Sequence, residues 1–431
     1  MGVSRRPEDA PWKFSRRRGP SRGRSPRVLG GVARNHVTDL RGASRMVVDA
    51  ITGITGLAEA MHAGIAEKPT RLAGAIVGGA VNGTTAIVYR SIRGVTRAIG
   101  GGIDLALGAV APALGHIESW PARDSVVAAL NGVLGDYLAE TSNPLEITMH
   151  LRRGGKPLEL TREGLAAAIH APTSRVLVLV HGLCRDDRRW ERDGHDHGAH
   201  LARDLSYTAV YLHYNTGLHI STNGRALAQI LEAMAAAWPV PLEEVSILAH
   251  SMGGLVARSA HHCASAARHS WPDKLRKLVF LGTPHHGVPF ERAGHRLDLL
   301  LEKTPYAAPL TLLGKVRSAG ITDLRHGYVL EEDWKGHDRF AKRADSRRAL
   351  PLPKRVQCYT MAATLGRAPT SRFDQLIGDG LVPVPSALGD HRDPRLKLIF
   401  PRSHQWTARG TSHLGLLQAQ TYGRIREWFS E

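Results

Sequence analysis

Three residue types in one order along the chain define the chemistry to look for: Ser251, then Asp379, then His413. A serine hydroxyl is a weak nucleophile until a histidine takes its proton and a carboxylate orients that histidine. Ser251 lies in Ser246-Ile247-Leu248-Ala249-His250-Ser251-Met252-Gly253-Gly254-Leu255. An apolar strand pattern (Val245, Ile247, Ala249) runs into small residues around the serine, and a helical pattern (Leu255, Val256, Ser259) follows. That is the layout of a nucleophile elbow, the sharp strand-to-helix turn that holds a serine above a parallel sheet. The turn strains the serine backbone and crowds the neighbouring chain, so small residues are needed two before and two after it, here Ala249 and Gly253. The usual form is Gly-x-Ser-x-Gly; Ala stands in the first place here. The helix starting at Met252 would aim its N-terminal dipole at the site. Small-x-Ser-x-Gly also arises by chance, so the surrounding residues decide its meaning.

An orienting acid is expected after a late strand, and Asp379 in Gly378-Asp379-Gly380-Leu381-Val382-Pro383 fits, with flanking glycines that let a turn bring the carboxylate inward. Asp374 and Asp390 are the other candidates, and a plain Asp-Gly turn is the bland reading. The base expected is His413, in Thr411-Ser412-His413-Leu414-Gly415, preceded by a small polar residue and followed by an apolar helix face; His404 is its rival. The chain has 23 histidines, most of which must be structural or solvent-exposed. Two backbone amides should receive the developing oxyanion. One is that of Met252; the other is that of Leu183, in Val180-His181-Gly182-Leu183-Cys184, where the His181-Gly182 pair lets backbone approach closely. Cys184 lacks a helix-start context and is not read as a nucleophile.

These residues need strands and helices to carry them. Continuous or alternating apolar runs predict strands at Arg175 to Val180, Tyr207 to Tyr214, Val245 to Ala249, Lys277 to Leu281, Arg355 to Met361 and Leu396 to Phe400. Helical patterns lie between, notably Gly224 to Ala237 and Met252 to Arg268. Leu145 to Leu151 and Pro157 to Leu160 flank Gly154-Gly155 as a hairpin. Strand–helix alternation predicts an α/β fold with a mainly parallel sheet covered on both faces. Residues 283–354 break the rhythm, and an insertion there would sit over the site like a lid.

Taken together, the motifs resemble those of α/β-hydrolase-fold lipases and esterases, and are most similar to the GPI inositol-deacylase (PGAP1-like) branch. The matching pieces are Val178-Leu179-Val180-His181-Gly182, Tyr214-Asn215-Thr216-Gly217, Ala249-His250-Ser251-Met252-Gly253-Gly254, Gly282-Thr283-Pro284-His285-His286-Gly287, Gly378-Asp379-Gly380-Leu381-Val382-Pro383 and Ser412-His413-Leu414. The resemblance spans about 145 to 430. It implies hydrolysis of a hydrophobic carboxylic ester through an acyl-enzyme on Ser251, with His413 as base, Asp379 as orienting acid and no metal or organic cofactor. His181, Gly182, His250 and His285 would line the substrate cleft. The family name describes similarity and not substrate. An acyltransferase, thioesterase or amidase would use the same three residues, and an inactive lipid-surface binding protein would keep the fold without the turnover.

Composition bounds the rest. The chain has 431 residues, a formal net charge of +18 and three cysteines, with a sequence pI near 10.3. Three well-separated cysteines form neither a disulfide framework nor a metal spacing, which favours a reducing compartment. A basic surface favours anionic partners, yet no zinc-ligand spacing, recognition helix or aromatic-studded basic strand points to nucleic acid. Residues 1–36 are Arg/Pro/Gly/Ser-rich and expected to be a disordered basic tail. Residues 38–130 are Ala/Gly-rich, with Val47, Ile51, Ile54, Leu57, Met61 and Ile65 at helical steps. Glycine at that density costs helix stability, so 38–118 needs a surface to lie on, either a lipid surface or the catalytic domain. Residues 131–431 are expected to form that domain. No signal peptide or spanning segment is read in the sequence, which predicts a cytoplasmic protein with the option of peripheral membrane contact.

Overall fold

The computed structural model describes Gly42, Arg45 and residues 123–288, 318–337, 345–367 and 378–431. The basic tail 1–36, nearly all of 38–118, much of the 283–354 insertion and Asp374 lie outside the described residues.

Among the described residues the strands are β1 (His150–Arg153), β2 (Lys156–Pro157), β3 (Arg175–Val180), β4 (Thr208–His213), β5 (Glu244–His250), β6 (Leu275–Leu281), β7 (Gln357–Thr364) and β8 (Gln405–Arg409). They form one sheet in the order β2-β1-β4-β3-β5-β6-β7-β8. The β1–β2 and β1–β4 pairs are antiparallel, and every pairing from β4 through β3 to β8 is parallel. This is the α/β-hydrolase fold that the motifs imply.

The helices are α1 (Arg123–Glu140), α2 (Arg162–Ala168), α3 (His197–Leu205), α4 (Ile220–Ala237), α5 (Met252–Ala266), α6 (Ala319–His326), α7 (Val384–Ala387) and α8 (Tyr422–Ser430). Strand alternation divides the core between two faces. Val176, Val178 and Val180 of β3 pack with α1, α4 and α5, whereas Leu177 and Leu179 pack with Leu201 of α3 and Ile425, Trp428 and Phe429 of α8. Both faces are therefore dry, which is why β3 reads as an unbroken apolar run rather than an alternating one. Each fully buried Val or Leu of this kind contributes about 1.5–3 kcal/mol of transfer free energy.

Two differences from the sequence-based expectation have physical causes. Leu145 to Met149 is not a strand, because the buried Asn131 side chain of α1 takes its backbone: Nδ2 donates to Leu145 O (2.8 Å) and Oδ1 accepts from Ile147 N (2.9 Å). The hairpin survives only at β1 and β2, turned by Gly154 (φ 55°) and Gly155 (φ 73°). Leu396 to Phe400 is also not a strand. Leu398 and Phe400 are buried and Ile399 is 84% exposed, yet Leu398 N bonds Gly389 O (2.8 Å), and Pro401, without an N–H, follows. The place beside β7 is taken by Gln405–Arg409, in register Thr360 to Gln405. Helix α1 lies on both sides of residue 130. Among the described residues, no helix is long and apolar enough to cross a membrane.

Candidate active site

Strand β5 delivers Ser251 into a turn with φ 55° and ψ −127°, and α5 begins at the next residue. A non-glycine residue at positive φ stores strain that only close packing can hold. The packing is visible at both neighbours. Ser251 N donates to Leu281 O at the end of β6 (2.8 Å). A Cβ on Gly253 would lie 2.4 Å from Val180 O, so the start of α5 rests directly on the end of β3. Ala249 is completely buried, and its methyl fits where the usual motif has glycine.

Asp379 and His413 meet. His413 Nδ1 donates to Asp379 Oδ2 at 2.6 Å, and both side chains are buried. The other carboxylate oxygen, Oδ1, accepts the amides of Leu381 (2.9 Å) and Val382 (2.7 Å). Gly378 (φ 57°) and Gly380 (φ 94°) make the turn that aims it, and a Cβ on Gly378 would strike Val382 O at 1.9 Å. The backbone adds His413 N to Asp379 O (3.0 Å). With the proton on Nδ1, the lone pair of His413 is on Nε2. That Nε2 and the Ser251 Oγ are both buried and both lack a hydrogen-bond partner among the described residues. Both residues lie against the end of β6: Ser251 N bonds Leu281 O, and a Cβ placed on the next residue, Gly282, would lie 3.2 Å from the His413 ring.

The rivals lie elsewhere. His404 precedes β8 instead of following it; its Nδ1 bonds Cys358 O (3.0 Å) and its ring stacks on Tyr359 at 4.1 Å. Asp390 is exposed and paired with Lys397 (2.8 Å). Cys184 is buried, and burial pushes its thiol up to about 12, far from thiolate chemistry at neutral pH.

Leu183 and Met252 are both completely buried. Met252 opens α5, so its amide has no acceptor one turn back in the helix. The loop carrying Leu183 comes close to the serine: a Cβ on Gly182 would lie 2.9 Å from Ser251 Cβ. His181 stacks on Tyr214 at 4.5 Å, and burial lowers it to about 4. His250 donates from Nε2 to His413 O (3.1 Å), and burial holds its imidazole well below the ordinary range, so it is neutral with a lone pair on Nδ1. His285 packs instead with Phe280 (4.8 Å), Phe400 (5.8 Å) and the Arg258 guanidinium (3.5 Å).

Residues 177–354 match the family model described as the PGAP1-like alpha/beta domain. The match begins within β3, takes in Ser251 and ends before β7. Among solved structures it is similar to the mature lipase BlEst2 of Bacillus licheniformis, at 17% identity and a TM-score of 0.38 over 64% of this chain and 95% of that one. Lipase B of Aspergillus fumigatus aligns at 12% identity and a TM-score of 0.35 over 63% of this chain and 57% of that one. Potato epoxide hydrolase I aligns at 13% identity and a TM-score of 0.34 over 60% of this chain and 93% of that one. Among curated protein sequences none matches it significantly.

Two buried side chains within the matched residues had no role assigned from sequence. Tyr214 and Thr216 sit in Tyr214-Asn215-Thr216-Gly217, yet nothing in their types says that they reach the loop after β3. Tyr214 donates its hydroxyl to His181 O (2.8 Å), and Thr216 Oγ1 accepts from Cys184 N (3.1 Å). The signal available was position: the motif follows β4, the parallel neighbour of β3, so its residues must lie beside the residues that follow β3.

Proposed function

We propose that the protein is a serine esterase or lipase acting on a hydrophobic carboxylic ester. The observation that carries this reading is the His413–Asp379 pair at 2.6 Å, with an unpartnered His413 Nε2 and an unpartnered Ser251 Oγ beside the same strand end. In apo proteins catalytic hydrogen bonds are commonly open and tighten when substrate binds.

In the reaction, Ser251 Oγ attacks the ester carbonyl while its proton passes to His413 Nε2. Asp379 stabilises the imidazolium through Nδ1–H and remains ionised. The amides of Leu183 and Met252 hold the oxyanion. Collapse of the tetrahedral species breaks the C–O bond, and the alcohol leaves with the proton from His413. Water then enters by the same route, with His413 as base, and releases the acid and free Ser251. A carboxylate with both oxygens already occupied by fixed donors needs no reorganisation as charge develops on the ring, which favours this assignment of Asp379.

The test is labelling by a fluorophosphonate probe together with turnover of a p-nitrophenyl ester. Adduct formation on Ser251 is expected, and Ser251→Ala should lose both signals while keeping the circular dichroism and thermal midpoint of the parent. Undiminished ester turnover by Ser251→Ala would overturn the reading.

A further inference from the structure

The motif Tyr214-Asn215-Thr216-Gly217, which follows β4, makes none of the catalytic contacts above, yet it is buried throughout. Each residue holds a different neighbour. Tyr214 binds His181 O and Thr216 binds Cys184 N, at 2.8 and 3.1 Å. Asn215 Nδ2 donates to Gly135 O of α1 (2.9 Å), and its Oδ1 accepts Gly217 N (3.0 Å). Gly217 O accepts Gly320 N of α6 (3.0 Å). The motif is thus a joint among the loop after β3, helix α1 and the insertion helix α6.

Its two hydroxyls bracket one peptide segment. His181 O is fixed on one side and Cys184 N on the other, leaving the Leu183 amide between the two anchors. The bracketed segment needs holding, because Cys184 sits at φ 59°, a conformation that a side-chain-bearing residue adopts only under restraint. Gly182, inside the bracket, is the residue that touches Ser251. A shift of a few tenths of an ångström there moves the Leu183 donor away from the point where an oxyanion would form.

We propose that Tyr214 and Thr216 are positioning residues for the oxyanion: their hydroxyls hold the 181–184 loop so that the Leu183 amide is aimed at the oxygen of the carbonyl attacked by Ser251. The inference rests on the esterase reading given above. Loss of either hydroxyl leaves the substrate-binding surface in place and slackens a donor used mainly in the transition state. Such a change lowers kcat and spares KM.

The experiment uses the full chain with Thr216→Val, Thr216→Ser and Tyr214→Phe. For each, kcat and KM on a p-nitrophenyl ester, the Ki of a trifluoromethyl ketone and fluorophosphonate labelling are measured. Thr216→Val should lower kcat about 10- to 100-fold, below the full loss of an oxyanion donor. The ketone should weaken by a similar factor while KM stays within about twofold. Thr216→Ser keeps the acceptor and should recover most of the loss. Tyr214→Phe, which removes one oxygen from the opposite anchor, should follow Thr216→Val and serves if that variant does not fold. Parent kcat in a folded Thr216→Val or Tyr214→Phe overturns the proposal, as does a serine variant as slow as the valine one. A parent protein that neither labels nor turns over ester would instead overturn the esterase reading itself.

Discussion

Gly182 has no room for a side chain: a Cβ there would meet Ser251 Cβ at 2.9 Å and His250 Nδ1 at 3.4 Å. Gly182→Ala must therefore push the loop away from the serine, and on the esterase reading it should cost at least about tenfold in kcat, since oxyanion donors act over a few tenths of an ångström. Steady-state kinetics would check it, and an unchanged kcat would place the oxyanion elsewhere. Asp379→Asn keeps the shape of the turn but offers His413 a neutral partner that does not fix the tautomer with the Nε2 lone pair. A loss of about 10³–10⁴ in kcat is expected by analogy with triad acids generally, with little change in KM. Of this site, the residue types and their order were legible in the sequence, because an elbow and an Asp-Gly turn carry local signals. The choice of His413 over His404 was not fully legible, since it depends on which end of β8 each occupies, and β8 itself was misplaced to 396–400.

At the scale of elements, the same misplacement shows what local pattern misses. Leu396-Lys397-Leu398-Ile399-Phe400 has the stronger strand pattern, yet it packs against the turn after α7, while Gln405-Trp406-Thr407-Ala408-Arg409 wins the sheet edge through its register with β7. Pairing partners decide such cases, and they are not local. Helix α1 gives the converse: Gly132 looks like a weak point in a helix, where alanine normally gains about 0.5–1 kcal/mol. Here a Cβ would lie 2.2 Å from Cys184 Sγ and 3.0 Å from its Cα. Overpacking of that kind costs about 1–3 kcal/mol, so the clash outweighs the helix gain and Gly132→Ala should be destabilising. Adding Cys184→Gly removes the sulfur and suits the positive φ at that position, and should restore stability. Chemical denaturation of the single and double variants checks both signs, and an alanine variant more stable than the parent would refute the packing argument.

At the scale of the whole molecule, the two faces of the sheet are closed with an unusual number of buried imidazoles. His197 donates from Nε2 to Leu416 O (2.9 Å), and its Nδ1 accepts from His195 Nε2 (2.8 Å), a pattern that only neutral His197 can make. Burial lowers His197 to about 3 and His181 to about 4, and it pushes His250 and His285 down as well. The unfolded chain, with histidines near 6.5, binds protons that the folded one refuses, so these groups contribute stability above pH 6.5 that is lost as pH falls toward 3–4. At pH 5 the loss is about 2 kcal/mol for each of His197 and His181. Asp187, held below its ordinary value by Arg152 and His213 against the cost of burial, acts only lower, below pH 3.8. Since a domain of this kind has a net stability of about 5–15 kcal/mol, the histidines remove a sizeable share of it at mild acidity. The urea midpoint should therefore fall steeply between pH 7 and 5, well before the carboxylates titrate. A midpoint constant over that interval would mean that these rings already carry their protons in the folded protein.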